Sequence, residues 1–585
     1  VTLMAVSAHA TDFGDISVRV EAVTGGNSNN LKTGYDEYRV TVTNRSPAKP
    51  HRVTVELRAY DPNAIRRSVE VAPSSTVTVP MFMEGGGYSG AVSALIDGSR
   101  QRDPVVVDMS RASAWVNTNR NAYYLLVSGA VEKSGLMNDA AVVEGLKASD
   151  GEKEVAYLSY PSPPREWSSN WVGYSSFDGV VITAEELRDA PDAVRSALWR
   201  YVECGGAMVV VGSWEVPTPW LARRAGPLEE GGEDASKKAS ATFSKDAQSY
   251  LVGFGQVTVI DAAAVNHMIP AQWQAVKLGW KNTRSWDRFN YYDIVDINRN
   301  FPVVERVGIP VRGLFLLMLG FVIVIGPINL IWLARKRKKI WMLWTVPAIS
   351  LVTCAAVTGF ALLGEGVSAT TRVESLTILD ESSRLASTIG WTAFYSPVTP
   401  GDGLRFDYDT ELSPVLPGSL SYRARDNQTV DLTNDQHLDS GWITARVPAY
   451  FKFRKSETRR ERLTIRRAGK DTISVVNGLG ASIRQLWVAD RDGKIHKAEN
   501  IPAGAQASLS LTSLRAAGDD LREPFGDSDW LGKMKYIEQN PAQYLQPGGY
   551  LATLDSVPFV EEGLKGAKTR KAHSLVYGVS AEADR

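Results

Sequence analysis

Only two cysteines occur in the 585 residues, Cys204 and Cys354. Cys354 lies in a long apolar run, and a thiol held in lipid cannot reach one outside it, so an internal disulfide is excluded. No CxxC pair is present, which excludes a metal or dithiol framework of that kind. Histidine is sparse as well. The six, His9, His51, His267, His437, His496 and His573, never stand at ligand spacing from one another or from a cysteine, so a zinc site is not expected. A GxxxxGK[ST] phosphate loop is absent, and no cofactor is expected. Net charge is lacking too: Lys+Arg and Asp+Glu both number 65, leaving no overall field to draw nucleic acid.

What the chain does have is length for several domains and an ordinary balance of 44% hydrophobic and 22% charged residues. It also has two long uncharged runs. GLFLLMLGFVIVIGPINLIWL, from Gly313 to Leu333, would rise ~31 Å as a helix, the thickness of a hydrocarbon core. IWMLWTVPAISLVTCAAVTGFALL, from Ile340 to Leu363, follows. Between them stand Arg335, Lys336, Arg337, Lys338 and Lys339, flanked by Trp332, Trp341 and Trp344. Short basic loops stay cytoplasmic, and indoles favour the headgroup layer. The pattern predicts a transmembrane hairpin, 309–333 and 340–364, around a cytoplasmic loop 334–339, with both flanking regions extracytoplasmic. Anionic lipid or a partner is a second reading for the basic loop. Pro327 and Asn329 interrupt the first run, which fits helix packing better than a polar site. The opening VTLMAVSAHA resembles the end of a secretory signal, with Ala8 and Ala10 in an A-x-A arrangement, and residues 1–10 are read as its remnant.

Residues 11–115 alternate apolar and polar side chains in short runs such as YRVTVTNRS and HRVTVELRAY, separated by turn residues. That period predicts an immunoglobulin-like β-sandwich. Residues 120–290 alternate strand and helix patterns, implying a parallel sheet. In DAVRSALWRYVECGG, Val194, Ala197, Leu198, Tyr201 and Val202 share one helix face, Pro191 suits the first turn, Asp189 is a candidate cap, and Gly205 suits a left-handed terminus. AMVVV then reads as a strand buried on both faces.

FDGVVIT, the helix ending in YVECGGAMVVVG, and VGFGQVTVID resemble the class I glutamine-amidotransferase-like fold. More narrowly, they resemble the degenerate versions in bacterial membrane-anchored envelope proteins and in auxiliary subunits of gliding-motility ABC transporters. Active members of that fold carry a cysteine on a G-x-C-x-G turn after the strand. Here the turn is VGSWEVP, so Ser213, Trp214 and Glu215 mark the candidate cleft, and Trp214, Glu215 and Pro217 replace the small neighbours a nucleophile elbow needs. Cys204 precedes the strand, at a helix end whose dipole disfavours a thiolate. A hydrolase using Ser213 with Asp261 and His267 is the rival, and a glycan or small-ligand site at the α/β cleft is another. Residues 226–249 read as a polar loop that could cover that cleft.

Residues 366–585 are turn-rich and strand-like, predicting a β-rich extracytoplasmic domain built as a sandwich or two small sheets. Nine of the nineteen residues from Lys452 to Lys470 are basic, forming either an anion-docking face or a charged edge that discourages strand pairing. The expected fold class is therefore a multidomain α+β membrane protein: sandwich, α/β domain, two-helix transmembrane hairpin, β-rich domain. The expected role is a non-catalytic scaffold or accessory subunit of a cell-envelope or transporter assembly. Its partners would be the lipid bilayer and envelope proteins, an ABC transporter among them.

Overall fold

Period-two patterning decides most of the structure in the computed structural model, which describes residues 10–23, 34–58, 64–84, 92–108, 123–147, 155–160, 163–214, 247–283, 294–304, 311–365, 368–415, 428–467, 472–511, 545 and 547–580. The N-terminal leader reading, Glu215, Pro217, nearly all of the 226–249 loop and residues 524–544 fall outside these. In the strand Tyr35–Asn44, Tyr38, Val40 and Val42 are buried while Arg39, Thr41 and Thr43 reach the surface. β-branched side chains suit this pleated, half-buried position. Across the strand pair, Thr41 and Thr43 share hydroxyl hydrogen bonds with Thr78 and Thr76 at 3.1 and 3.0 Å.

One sheet of the sandwich runs Thr11–Phe13, Ile16–Ala22, Tyr35–Asn44, Ser75–Glu84, with Val107–Asp108 added beside Ile16–Ala22. The facing sheet contains His51–Arg58, Ala64–Val71, Val92–Ile96 and Ser99–Arg100, and it is extended by three strands from beyond residue 400. Thr429–Asp431 pairs in parallel with Ala64–Arg66, and Gln436–Ser440 and Leu404–Phe406 follow outward. Arg66 fixes this seam through Asp431 at 2.8 Å and Asp439 at 3.0 Å. Leu432 enters the same core as Val53, Val55 and Ile65.

The α/β region has a six-stranded sheet ordered Val155–Tyr160, Tyr123–Ser128, Gly179–Thr183, Ala207–Val211, Gly255–Ile260, Ala247–Val252. All neighbours are parallel except the final antiparallel pair. The helix Asp192–Glu203 buries Val194, Ala197, Leu198, Tyr201 and Val202, the face its spacing predicts. Pro191 is its N-cap, whereas Asp189 ends the preceding helix Ala184–Asp189 and caps nothing here. The two glycines after Cys204 have separate reasons. Gly205 turns the chain at φ +102°, and a Cβ on Gly206 would lie 2.3 Å from the Tyr201 ring.

Beyond residue 368 the expectation of a sandwich or two small sheets gives way to one eleven-stranded mixed sheet. Fourth in its order is Thr370–Asp380, antiparallel to Leu385–Tyr395 and parallel to Lys568–Val579. Apolar packing is continuous with the α/β region. Phe254, Phe301 and Val303 share a core with Trp391, Tyr450 and Trp487.

The expected α+β membrane class with a two-helix transmembrane hairpin is corrected. The protein is β-rich and multidomain, with 46% strand and 23% helix among the described residues. Among the described residues one helix is long and apolar enough to cross a bilayer, Met318–Arg335, with mean hydropathy 1.8; in the next helix, Met342–Glu365, the apolar stretch among the described residues is the shorter Met342–Ala355. Proline interrupts both runs. In the second, Pro347 lies inside the helix Met342–Glu365. In the first, Pro327 removes a donor and opens a π-turn, Val324–Ile328, between Val311–Ile323 and Asn329–Arg335. Buried Asn329 donates to Thr345 Oγ1 at 2.9 Å.

Candidate functional site

Open α/β sheets bind ligands beyond the carboxyl ends of their strands, where strand order reverses. In this sheet the reversal lies between Tyr123–Ser128 and Gly179–Thr183, because the chain moves first to Val155–Tyr160 on one side and then to the other. The chain fills that position itself. Glu186 accepts hydrogen bonds from Ser128 Oγ, from the Ala130 backbone N–H at 3.0 Å and from Thr183 Oγ1 at 3.0 Å. Thr183 Oγ1 in turn accepts from the Glu186 N–H at 3.2 Å, completing a capping box. A carboxylate thus stands where an incoming anionic group would meet free backbone donors. The sequence carries the signal, Thr-x-x-Glu at 183–186, although its position at the strand reversal shows only in the fold. Glu186→Ala leaves the buried Ser128 hydroxyl and the Ala130 N–H unpaired. The expected loss is about 1–3 kcal/mol in urea unfolding.

The ECGG joint is structural in its geometry. Cys204 is fully buried, and burial pushes its thiol well up, with the nearby Arg454 charge opposing. The Cys204 carbonyl accepts from Arg454 Nη1 at 3.3 Å. Ser213 is exposed just past Ala207–Val211, and its carbonyl accepts from Arg188 Nη2 at 3.4 Å. Trp214 packs on Trp199, ring centroids 5.2 Å apart. Asp261 and His267 do line one groove of about 560 Å³, with Met268, Ile269 and Gln272, but Ser213 is not among its described lining residues. Asp261 Oδ1 accepts instead from the Ala263 N–H at 2.8 Å. Among the described residues no group of three or more His, Cys, Asp or Glu is placed to hold a metal ion.

The basic loop is built differently from a plain charged turn. Arg335 ends the helix Asn329–Arg335, Lys336 caps it with Nζ 4.4 Å over the Trp332 ring, and Arg337 turns the chain at φ +54°. Lys338 Nζ lies 5.1 Å over Trp341, in the short turn that Lys339 begins. Both indoles are more than half exposed. Cation–π contact holds these ammonium groups beside rings that favour the headgroup layer.

A feature that sequence reading missed is the polar seam between the α/β region and the eleven-stranded sheet. Arg454, on Ala449–Thr458, pairs with buried Glu411 and reaches the Ser175 carbonyl at 3.5 Å. Trp171 Nε1 donates to the Asp409 carbonyl at 2.9 Å, and Arg200 pairs with Asp409 at 3.2 Å. Lys455, 2% exposed, holds Glu561 at 2.9 Å and Glu457 at 3.2 Å. Part of the basic run at 452–470 is therefore spent inside the molecule rather than displayed.

No protein-family model matches this chain, and no curated protein matches it. Among solved structures, the chain is similar to a yeast delta-COP-I mu-homology domain at 7% identity and TM-score 0.16, over 37% of this chain and 96% of that one. A cycloisomaltooligosaccharide glucanotransferase of Paenibacillus sp. aligns at 11% identity and TM-score 0.12, over 32% of this chain and 26% of that one. The exo-chitosanase CsxA of Amycolatopsis orientalis aligns at 12% identity and TM-score 0.13, over 96% of this chain and 64% of that one. Likeness at these scores carries no argument about fold or activity.

Proposed function

We propose that this chain is a non-catalytic, membrane-anchored scaffold or accessory subunit of a bacterial envelope assembly, with an ABC transporter as one candidate partner. The observation that carries the reading is an exposed apolar segment whose two ends join one folded body. Phe315, Leu316, Leu351 and Val352 are 64%, 66%, 72% and 67% exposed, a surface that water does not favour. The ladder between Ala64–Arg66 and Thr429–Asp431 ties the region before this segment to the region after it. Strand pairing of that kind does not cross hydrocarbon in the open, so both regions occupy one side. The basic residues Arg335 to Lys339 lie midway between the two attachments.

The non-catalytic part of the reading is supported by Glu186 in the crevice and by the inert setting of Cys204. It extends the resemblance to degenerate amidotransferase-like domains, whose nucleophile is likewise missing. Two measurements test it. In a background without the native cysteines, Glu185→Cys and Lys565→Cys are expected to react together with an impermeant maleimide in intact spheroplasts. Opposite responses of the two would break the one-sided topology. Purification in mild detergent is expected to retain stoichiometric envelope proteins, and recovery of the chain alone would sink the scaffold role.

A further inference from the structure

Two turns meet at one end of the eleven-stranded sheet. Arg384 lies in the turn between Thr370–Asp380 and Leu385–Tyr395, and Arg459 to Arg462 lead from Ala449–Thr458 into Arg462–Arg467. The register Leu385↔Thr458 brings the turns together. Arg384, Arg459, Arg460 and Arg462 line a cavity of about 560 Å³ there, with Glu381, Ser382 and Glu461. Four arginines against two glutamates already leave a positive balance, and both glutamates are already engaged. Glu381 Oε1 accepts from the Leu463 N–H at 2.6 Å and from Tyr550 Oη at 2.9 Å. Glu461 faces Arg459 at 3.6 Å and accepts from the Arg460 N–H at 3.0 Å. Arg459 is held by Glu457 at 3.0 Å and lies 5.2 Å over Phe559.

The exposed guanidinium groups of Arg384, Arg460 and Arg462 have no acidic partner among the described residues. The turns carrying them are fixed in place. The Arg459 N–H donates to the Arg384 carbonyl at 2.8 Å, and Ser382 Oγ donates to Asp380 Oδ1 at 2.6 Å. Arg384 itself sits at φ +55°, a conformation that costs a non-glycine residue energy and persists only where its surroundings impose it. Guanidinium forks matched in a preset cavity favour tetrahedral oxyanions, which they bind through paired N–H donors.

We propose that this cavity binds a phosphate- or sulfate-bearing ligand free in solution. The choice of a free ligand over a lipid headgroup rests on the membrane reading above. Thr370–Asp380 begins five residues after Glu365, and its eleven residues at ~3.3 Å each let the turn stand up to about 36 Å from that attachment, clear of the headgroups.

The test uses the full-length chain in detergent at low salt, titrated calorimetrically with inorganic pyrophosphate and with sulfate. Wild type is expected to bind at least one of them. Arg460→Gln with Arg462→Gln is expected to weaken that binding at least tenfold while leaving the urea midpoint unchanged, and Arg405→Gln, on the distant pair with Asp435, to leave it intact. No binding by wild type, or equal affinity in the double variant, overturns the site. Nanodiscs with and without phosphatidylglycerol separate the two sources. Equal pyrophosphate affinity in both supports a free ligand, and competition by phosphatidylglycerol overturns that choice. Because binding is read in detergent, it fails or succeeds independently of the maleimide sidedness result.

Discussion

Arg454→Ala is expected to cost about 3–5 kcal/mol of unfolding free energy, because it strands a buried carboxylate. Glu411 is 3% exposed, and its guanidinium partner comes from the neighbouring strand in register, Glu411 opposite Arg454. The same guanidinium also satisfies the Cys204 and Ser175 carbonyls of the α/β region. Loss should therefore appear twice: as a lower urea midpoint, and as faster proteolysis between the α/β region and the eleven-stranded sheet. Arg454→Lys should recover only part, since an ammonium cannot serve a carboxylate and two carbonyls with a planar fork. Pairing Arg454→Ala with Glu411→Leu should restore more than Arg454→Lys, because no charge is then left unpaired. If Arg454→Ala unfolds at the wild-type midpoint, the seam contributes nothing to stability.

Lys455→Met has the second large expected effect, and its pH dependence separates it from simple loss of packing. Burial alone would raise the Glu561 carboxyl, but the Lys455 charge and hydrogen bond, with the Thr410 hydroxyl, hold it below the ordinary 4.5. A carboxyl depressed in the folded state adds stability that is present above its ordinary range and lost as pH falls through the depressed value. Asp407 and Glu457 behave oppositely: burial raises both, and for Asp407 the facing Glu561 adds to it. With Lys455 gone, all three acids lack their ammonium counterweight and are expected to titrate upward. The variant should lose about 3–5 kcal/mol at pH 7 and regain part of it as pH falls toward 5, where wild type gains nothing from Glu561. Parallel stability curves for the two proteins from pH 5 to 7.5 would refute this account.

The strand periodicity of the sandwich and the apolar face of Asp192–Glu203 were legible because each is local, set by spacing within one element. The ECGG joint was legible for the same reason, since the left-handed turn at Gly205 and a helix end unsuited to a thiolate need no distant partner. What could not be read is long-range. Nothing in TVD at 429–431 says that it pairs with AIR at 64–66, because three-residue strands carry no register of their own. The hairpin expectation counted charge alone and passed over Pro327 and Pro347, which lie inside the two apolar runs. The basic stretch 452–470 was visible as composition only. Strand alternation then sends Lys455 inward to Glu561 while Arg460 and Arg462 remain at the surface, a split that depends on which partners arrive from residues 381–384 and 561.

The seam between Ala64–Arg66 and Thr429–Asp431 also sets a timetable for biogenesis. Arg66 and Asp431 are 365 residues apart in the chain. At ~5–20 residues per second, the ribosome delivers the second of them about 20–70 seconds after the first. Throughout that interval the Ala64–Val71 edge has unpaired backbone groups and no Leu432 to seal the core beneath it. An edge left open for so long invites pairing with the wrong chain, so a holdase working on the nascent protein would act before residue 432 emerges and have no further purchase afterward.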